Sequence, residues 1–297
     1  MIGGESHNSL LQLIKDGVNR LREKHLIALD LDGTLLTDEK VISPGSRAVV
    51  QRLIEEGHVV VIATGRSNRL SILYYNELGL KTPLINSNGA VLHNPYDQSW
   101  GSYHHPLNHD TAMEIVETCY ELNSKNILAA VHDAVYLDSF DEDIANFYGV
   151  KPKQTDDSFI IGKVKDHLKE NPTLMLLYPE TKYLDTLTNR LNELQTEIVD
   201  HRNWGEPFHV IEVMNKQMNK AEALKKVADY YGIPQKRIIA FGDGSNDLEM
   251  IDYAGVGVAM TNGLPEIKNV AKYITDTNTN DGVANFLNNY FKTTVRV

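Results

Sequence analysis

Short apolar runs alternate with helical patterns in two stretches of the chain, residues 25–91 and 207–297. Leu26–Leu29 and Val59–Ala63 are apolar at every position, which is typical of strands buried on both faces of a parallel sheet. In the second stretch, a helical pattern over Lys220–Tyr231 precedes another such strand. This alternation predicts an α/β fold with a doubly wound parallel (Rossmann-like) sheet, in which ligands bind at the carboxyl ends of the strands.

The pattern changes between residues 92 and 206, where the predicted strands alternate and pair as hairpins. Ile127–Val131 and Ala134–Leu137 are two such strands, separated by a two-residue turn. Thr111 and Glu114 have the spacing of a capping box, which predicts a helix that begins there. We therefore predict that residues 92–206 form an α+β domain inserted into the doubly wound core.

Residues 1–24 precede the first strand and have the pattern of an amphipathic helix. Charged residues separate apolar residues that recur at helical spacing, namely Leu10, Leu11, Ile14, Val18 and Leu21. We expect this helix to pack on the core or on a partner subunit, and we assign it no chemistry.

The composition of the 297-residue chain is that of an ordinary globular protein, with 42% apolar and 23% charged residues. A formal net charge of −11 argues against binding to nucleic acid or to an anionic membrane surface. The single cysteine, Cys119, excludes an internal disulfide and lies on an apolar helix face, which favours a core position over a nucleophilic role. No signal-peptide pattern and no membrane-spanning run is present, so we expect a soluble cytoplasmic protein.

Two carboxylates, Asp30 and Asp32, follow the first strand directly and precede Gly33. In extended structure their side chains would share a face, because side chains two residues apart point the same way. Carboxylates at the end of a buried strand are costly unless a cation neutralises them, and oxygen ligands favour Mg²⁺. The alternative is an ordinary strand followed by an acidic turn.

Three further sites lie at predicted strand ends or helix starts: Thr64-Gly65, Lys220 and Asp243–Asp247. A hydroxyl, a glycine N–H, an ammonium and the amide of Asn246 are donors for phosphate oxygens, while the carboxylates of Asp30 and Asp243 are hard ligands for Mg²⁺. The sequence has no histidine or cysteine cluster at zinc spacing, no Gly-x-Ser-x-Gly elbow and no glycine-rich nucleotide-binding fingerprint.

Together these segments resemble the four ordered motifs of haloacid dehalogenase-superfamily phosphatases. The matching segments are DLDGT at 30–34, TGR at 64–66, Lys220 in NKAEAL, and GDGSND at 242–247. Their order and spacing are most similar to the Cof-type, or IIB, branch, which inserts a large α/β cap between the second and third motifs. NSNGA at 86–90 and NDGV at 280–283 also resemble that branch. The resemblance covers about residues 25–291, although the cap matches only in length and α/β character.

The resemblance implies a Mg²⁺-dependent phosphatase for small phosphorylated metabolites. Asp30 would be the nucleophile that forms an aspartyl-phosphate, and Asp32 the general acid and then the general base. The carboxylates of Asp30 and Asp243 and the backbone carbonyl of Asp32 would hold Mg²⁺, and Asp247 would orient metal-bound waters or Lys220. The groups implied to hold the phosphoryl oxygens are the Leu31 backbone amide, Thr64, Gly65, Lys220 and Asn246.

Several alternatives stay open at this point. The substrate is a sugar phosphate, a flavin-type nucleotide or pyridoxal phosphate, and a phosphosugar mutase or a non-catalytic metabolite-sensing protein would carry a similar site. Arg66 and Asn88 fit loop structure and substrate contact equally well. Four residues of the inserted domain and its border are conceivable substrate contacts, although surface or core roles are favoured for each: His132, Arg202, Trp204 and His209.

Overall fold

The structure is a computed structural model that describes residues 23–147, 158–194, 199–203 and 209–292. Except for Glu23 and Lys24, the predicted helix of residues 1–24 lies outside the described residues.

The described strands and helices follow one another in chain order. The strands are β1 (Leu26–Leu29), β2 (Val59–Ile62), β3 (Leu84–Asn86), β4 (Val91–His93), β5 (Ser102–His104), β6 (Asn126–Val131), β7 (Ala134–Leu137), β8 (Phe159–Ile161), β9 (Leu174–Tyr178), β10 (Val199–Asn203), β11 (Ile211–Asn215), β12 (Ile238–Gly242), β13 (Val256–Met260) and β14 (Tyr273–Thr275). The helices are α1 (Pro44–Glu55), α2 (Asn68–Glu77), α3 (His109–Glu121), α4 (Glu142–Phe147), α5 (Val164–His167), α6 (Leu184–Glu193), α7 (Lys220–Tyr231), α8 (Leu248–Tyr253), α9 (Pro265–Val270) and α10 (Gly282–Lys292).

The core is a parallel sheet of five strands in the order β14-β13-β12-β1-β2. Strand β1 is central, and its alternate residues enter two different apolar clusters: Ile27 and Leu29 one, Leu26 and Ala28 the other. Helices α1 and α10 contribute to the first cluster, and α7 and α8 to the second. Helices cover both faces of the sheet, so strands that are apolar at every position are buried on both sides. The predicted doubly wound fold is confirmed.

A second sheet of six strands has the order β10-β11-β9-β6-β7-β8, and helices α3 and α6 pack against one of its faces. The predicted hairpin is present, with Leu128 paired to Leu137. The predicted domain limits of 92 and 206 stay a prediction. The pairing of β3 with β4, of β4 with β5 and of β11 with β9 favours domain boundaries near residues 105 and 216.

Helix α3 begins at His109, and the capping box predicted at Thr111 was wrong. The side chain of Asn108 is the N-cap and accepts hydrogen bonds from the backbone N–H groups of Asp110 and Thr111. Thr111 is instead the third residue of the helix and is buried. An asparagine is a stronger N-cap than a threonine, and Asn108 satisfies the free backbone donors before the buried face of the helix starts.

Among the described residues, no helix has both the length and the apolar character that crossing a membrane requires.

We predict that Cys119 does not react with thiol reagents in the folded protein. The side chain is fully buried on α3, and burial raises the pKa of the thiol to about 12. Because disulfide exchange requires the thiolate, labelling by a chromogenic aryl disulfide at pH 8 should be ~1000-fold slower for the native protein than for the unfolded protein. Labelling of the native protein at the rate of the unfolded chain would contradict the buried placement.

Candidate active site

The carboxyl ends of three neighbouring strands place polar side chains at one edge of the core sheet. Asp30 follows β1, Asp243 follows β12, and Thr64 lies just beyond β2. One carboxylate oxygen from each of Asp30, Asp243 and Asp247 lies within 4.8 Å of the other two. Segments more than two hundred residues apart in the chain therefore meet in one acidic cluster, as the sequence predicted.

Lys220 is the first residue of α7 and is completely buried next to this cluster. Its Nζ donates hydrogen bonds of 2.6 Å to Oδ1 of Asp30 and 2.6 Å to Oδ1 of Asp247. Burial alone would lower the pKa of Lys220, but the two carboxylates outweigh it and raise the pKa above its ordinary value. Lys220 is thus a permanent cation inside the site.

Asp247 holds the loop that carries Asp243. Its Oδ2 accepts hydrogen bonds of 3.0 Å from the backbone N–H groups of Asp243 and Gly244, while its Oδ1 accepts from Lys220. Both oxygens are engaged by protein donors, which suits an orienting role better than direct metal ligation. That role for Asp247 remains a proposal.

The turn after β1 fixes the carboxylate of Asp243. Thr34 Oγ1 donates a hydrogen bond of 2.8 Å to Oδ1 of Asp243. Gly33 has a φ of +72°, and a Cβ at this position would lie 2.2 Å from Oδ2 of Asp243. Only glycine allows both this backbone conformation and this close approach of the carboxylate.

The cluster has the charge and the donors of a divalent cation site. Three carboxylates and one ammonium leave two negative charges uncompensated among these side chains. Burial raises the pKa of Asp30 well above its usual range and that of Asp243 to about 6, so the protein alone does not stabilise the ionised carboxylates. A hard divalent cation with oxygen ligands would fit this donor set.

Asp32 is held apart from the cluster by two cations. Its carboxylate accepts hydrogen bonds from Arg66 Nε at 2.6 Å, Arg66 Nη2 at 2.7 Å and Lys40 Nζ at 2.8 Å. Burial alone would raise the pKa of Asp32, but these hydrogen bonds and charges outweigh it and lower the pKa to about 2. The sequence singles out Arg66 but does not predict its contact with Asp32. No sequence pattern marked Lys40 as a partner.

A cavity of about 470 Å³ opens over the cluster, between the core sheet and the second sheet. The predicted site residues that line it are Asp30, Asp32, Thr64, Gly65, Asp243 and Asn246. The other three, Leu31, Lys220 and Asp247, are fully buried behind its wall. The structure thus brings the predicted set to one place, and their individual roles remain proposals.

The second sheet closes the cavity with a mostly apolar wall and two polar side chains. Among its lining residues are Leu174, Leu176, His132 and Glu212. His209 is not among the lining residues, whereas Trp204 and the side chain of Arg202 lie outside the described residues. Sequence reasoning missed Glu212; the available signal was a carboxylate inside the otherwise apolar run of β11, where it is 7% exposed.

Comparison with known proteins extends the likeness beyond the four motifs. Residues 27–287 match the sequence model of a family described as haloacid dehalogenase-like hydrolase. The chain is similar to 5-amino-6-(5-phospho-D-ribitylamino)uracil phosphatase YitU of Bacillus subtilis (strain 168), with 44% identity over 267 residues, 90% of this chain and 97% of that protein. It is also similar to YcsE, a phosphatase of the same description and organism, with 32% identity over 260 residues, 87% of this chain and 92% of that protein.

The fold has a similar neighbour among solved structures. A haloacid dehalogenase-like hydrolase from Bacteroides thetaiotaomicron matches with a TM-score of 0.76 and 27% identity, covering 90% of this chain and 100% of that chain. The likeness therefore includes the second sheet as well as the core.

We predict that Asp243→Asn stabilises the metal-free protein at neutral pH. In the folded protein the pKa of Asp243 is raised to about 6. The protonated carboxyl group therefore stabilises the fold fully at a pH below the pKa of the unfolded state, and this stabilisation is lost as the pH rises through the pKa of the folded state. With a chelator present, the free energy of unfolding by urea should exceed that of the wild type by about 1–3 kcal/mol at pH 7.5, and the difference should shrink towards pH 4.5. Exposed Asp229→Asn is the matched control. A difference that does not change with pH would contradict the prediction.

Proposed function

Because the chain belongs to the haloacid dehalogenase-like hydrolase family and is one of its phosphatases, we propose that it hydrolyses 5-amino-6-(5-phospho-D-ribitylamino)uracil through an aspartyl-phosphate on Asp30. One observation carries the mechanism: the Asp30 carboxylate is fixed by buried Lys220, shares a cluster with Asp243 and faces the cavity. Relatives of that description, two of which the chain matches over nearly their whole length, support this substrate.

In the first step, Oδ2 of Asp30 attacks the phosphorus, because Oδ1 is engaged by Lys220. The bond between phosphorus and the ester oxygen breaks, and the departing oxygen takes a proton from the carboxyl group of Asp32. In the second step, water attacks the phosphorus of the aspartyl-phosphate and gives a proton back to Asp32. The bond from phosphorus to Asp30 then breaks and releases inorganic phosphate.

Asp32 must leave its two cationic partners before it can donate a proton. While Arg66 and Lys40 bind it, its pKa of about 2 keeps it ionised at neutral pH. Moving the carboxylate towards the dianionic phosphate would remove those charges and raise its pKa. Arg66 and Lys40 are therefore proposed to hold Asp32 outside the cluster until substrate is bound.

Donors around the cavity would bind the phosphoryl oxygens. Thr64 Oγ1 accepts a hydrogen bond from the backbone N–H of Arg66, which leaves its own proton to donate. Lys220 has a third N–H besides the two that it gives to carboxylates. The backbone N–H groups of Leu31 and Gly65 complete the proposed set, together with the amide of Asn246.

Mg²⁺ is the proposed cofactor, held by the carboxylates of Asp30 and Asp243 and the backbone carbonyl of Asp32. When bound, it would offset the negative charge of the phosphoryl group, which otherwise repels a carboxylate nucleophile. The uncompensated charge of the cluster supports this assignment.

The position of the second sheet supports a small substrate. Leu174 and Leu176 offer an apolar surface to a planar ring, while His132 offers a polar contact beside it. A phosphorylated side chain on a folded protein would have to displace this wall, so we propose that phosphoproteins are excluded.

We predict that Asp30→Asn abolishes phosphate release. The amide is nearly isosteric but not nucleophilic, so kcat should fall by at least ~10⁴-fold while the circular dichroism spectrum stays unchanged. Asp229→Asn, an exposed substitution on α7, should keep wild-type activity. A variant with a tenth of the wild-type rate would rule out Asp30 as the nucleophile.

We predict that a panel of phosphorylated metabolites identifies the substrate class. With Mg²⁺ present, kcat/KM for 5-amino-6-(5-phospho-D-ribitylamino)uracil should exceed those for pyridoxal phosphate and hexose phosphates by ~10–100-fold, and chelation should abolish turnover. Free phosphate must be the product, since an isomerised phosphosugar would indicate a mutase. Equal or higher kcat/KM for a hexose phosphate would contradict the proposed substrate.

A further inference from the structure

We propose that Glu212 and Asn88 form a hydrogen-bond relay that fixes the side-chain amide of Asn246, so that one of its N–H groups points at the phosphoryl group. The inference deepens the proposed function and rests on it, because it assumes that Asn246 binds phosphate. Glu212 and Asn88 are positioning residues in this account, since they act through Asn246.

The relay consists of two hydrogen bonds that join the buried side chains of Glu212 and Asn88 to the half-buried side chain of Asn246. Asn88 Nδ2 donates to Glu212 Oε1 at 3.2 Å, and Asn246 Nδ2 donates to Asn88 Oδ1 at 2.8 Å. Asn88 is 3% exposed and Glu212 is 7% exposed, and all three residues line the cavity. The relay crosses from the second sheet, through the turn after β3, to the loop after β12.

The direction of the relay is set by Glu212, because its carboxylate accepts the hydrogen bond from Asn88 Nδ2. Asn88 must therefore turn its NH₂ group towards Glu212 and its carbonyl oxygen towards Asn246. That oxygen in turn requires the NH₂ group of Asn246, whose second N–H remains available. If Asn246 were flipped, its carbonyl oxygen would take the place of this N–H group beside an anion and repel it.

The backbone around Asn88 holds the relay in place. Asn88 has a φ of +54°, and its backbone N–H donates to the carbonyl oxygen of Thr64 at 3.1 Å. A Cβ on Gly65 would lie 3.1 Å from Asn88 Oδ1 and 3.5 Å from Asn246 Nδ2. Both amides thus pack directly against Gly65, whose N–H is itself a proposed phosphate donor.

The relay makes phosphate binding depend on the second sheet. Glu212 lies on β11, whereas Asn88 and Asn246 lie at the edge of the core sheet. If the second sheet moved away, Asn88 would lose the acceptor that sets its orientation, and Asn246 could flip. Correct placement of the sheet over the cavity would therefore strengthen phosphate binding without any contact between Glu212 and the phosphate.

The test exchanges the donor and the acceptor of the hydrogen bond between Asn88 and Glu212 and measures the affinity for phosphate. Titration calorimetry with inorganic phosphate and Mg²⁺ would give Kd for the wild type, Glu212→Gln, Asn88→Asp and the double variant. Glu212→Gln allows Asn88 to flip and should raise Kd by ~3–10-fold, while Asn88→Asp sets two carboxylates against each other and should raise it by ~10–100-fold. In the double variant, the new amide at position 212 donates to the new carboxylate at position 88, which still accepts from Asn246, so Kd should return to within ~5-fold of the wild type.

Kinetics with p-nitrophenyl phosphate supply a second readout, in which KM should follow the same order across the four proteins. Glu180→Gln, at a half-exposed carboxylate that pairs with Lys182, is the matched loss of one charge and should change neither Kd nor KM. If Asn88→Asp fails to fold, the double variant must still bind phosphate more tightly than Glu212→Gln.

Two results would overturn the relay. One is a double variant that binds phosphate no better than either single variant. The other is a Glu212→Gln that weakens turnover of 5-amino-6-(5-phospho-D-ribitylamino)uracil but leaves phosphate affinity unchanged, which would make Glu212 a contact for the leaving group. Failure of the wild type to hydrolyse any phosphate ester would instead refute the proposed function, so the two failures are distinguishable.

Discussion

The ammonium of Lys220 lies between the carboxylates of Asp30 and Asp247, and the geometry of the site depends on this buried charge. It is fully excluded from solvent and donates 2.6 Å hydrogen bonds to both partners. Removing one partner of a buried ion pair typically costs about 3–5 kcal/mol, because the other charge is left without compensation. Lys220 therefore joins α7 to the ends of β1 and β12, and it leaves one oxygen of Asp30 to face the cavity.

The two aspartates of the first motif have different environments, and this difference separates their chemistry. Asp30 is buried among carboxylates, which raises its pKa, whereas Asp32 is paired with Arg66 and Lys40, which lower its pKa to about 2. A nucleophile needs a cation to keep it ionised, and a general acid needs release from cations to gain its proton. In the proposed mechanism the end of β1 supplies both groups, because the backbone turns over Leu31–Leu35 and the two side chains reach different neighbours.

The second sheet contributes to the site in two physically different ways. Its leucines form an apolar wall over the cavity, and in the proposed function this wall restricts the size of the leaving group. Its Glu212 reaches the core through Asn88, and so a residue of one sheet orients a polar group that belongs to the other. The chain also runs from β11 directly into α7, which carries Lys220. Placement of the second sheet and completeness of the site are thus linked.

By itself, the sequence determined the doubly wound core, the strand ends that carry Asp30, Thr64 and Asp243, and the family likeness. These features follow from local patterns, since fully apolar runs mark buried parallel strands and the carboxyl ends of such strands share one edge. Only the tertiary structure decided the pairing of Asp32 with Arg66 and Lys40 and the relay from Glu212 to Asn246. Those contacts join side chains from segments distant in the chain, and their partners depend on packing and rotamers that no local pattern encodes.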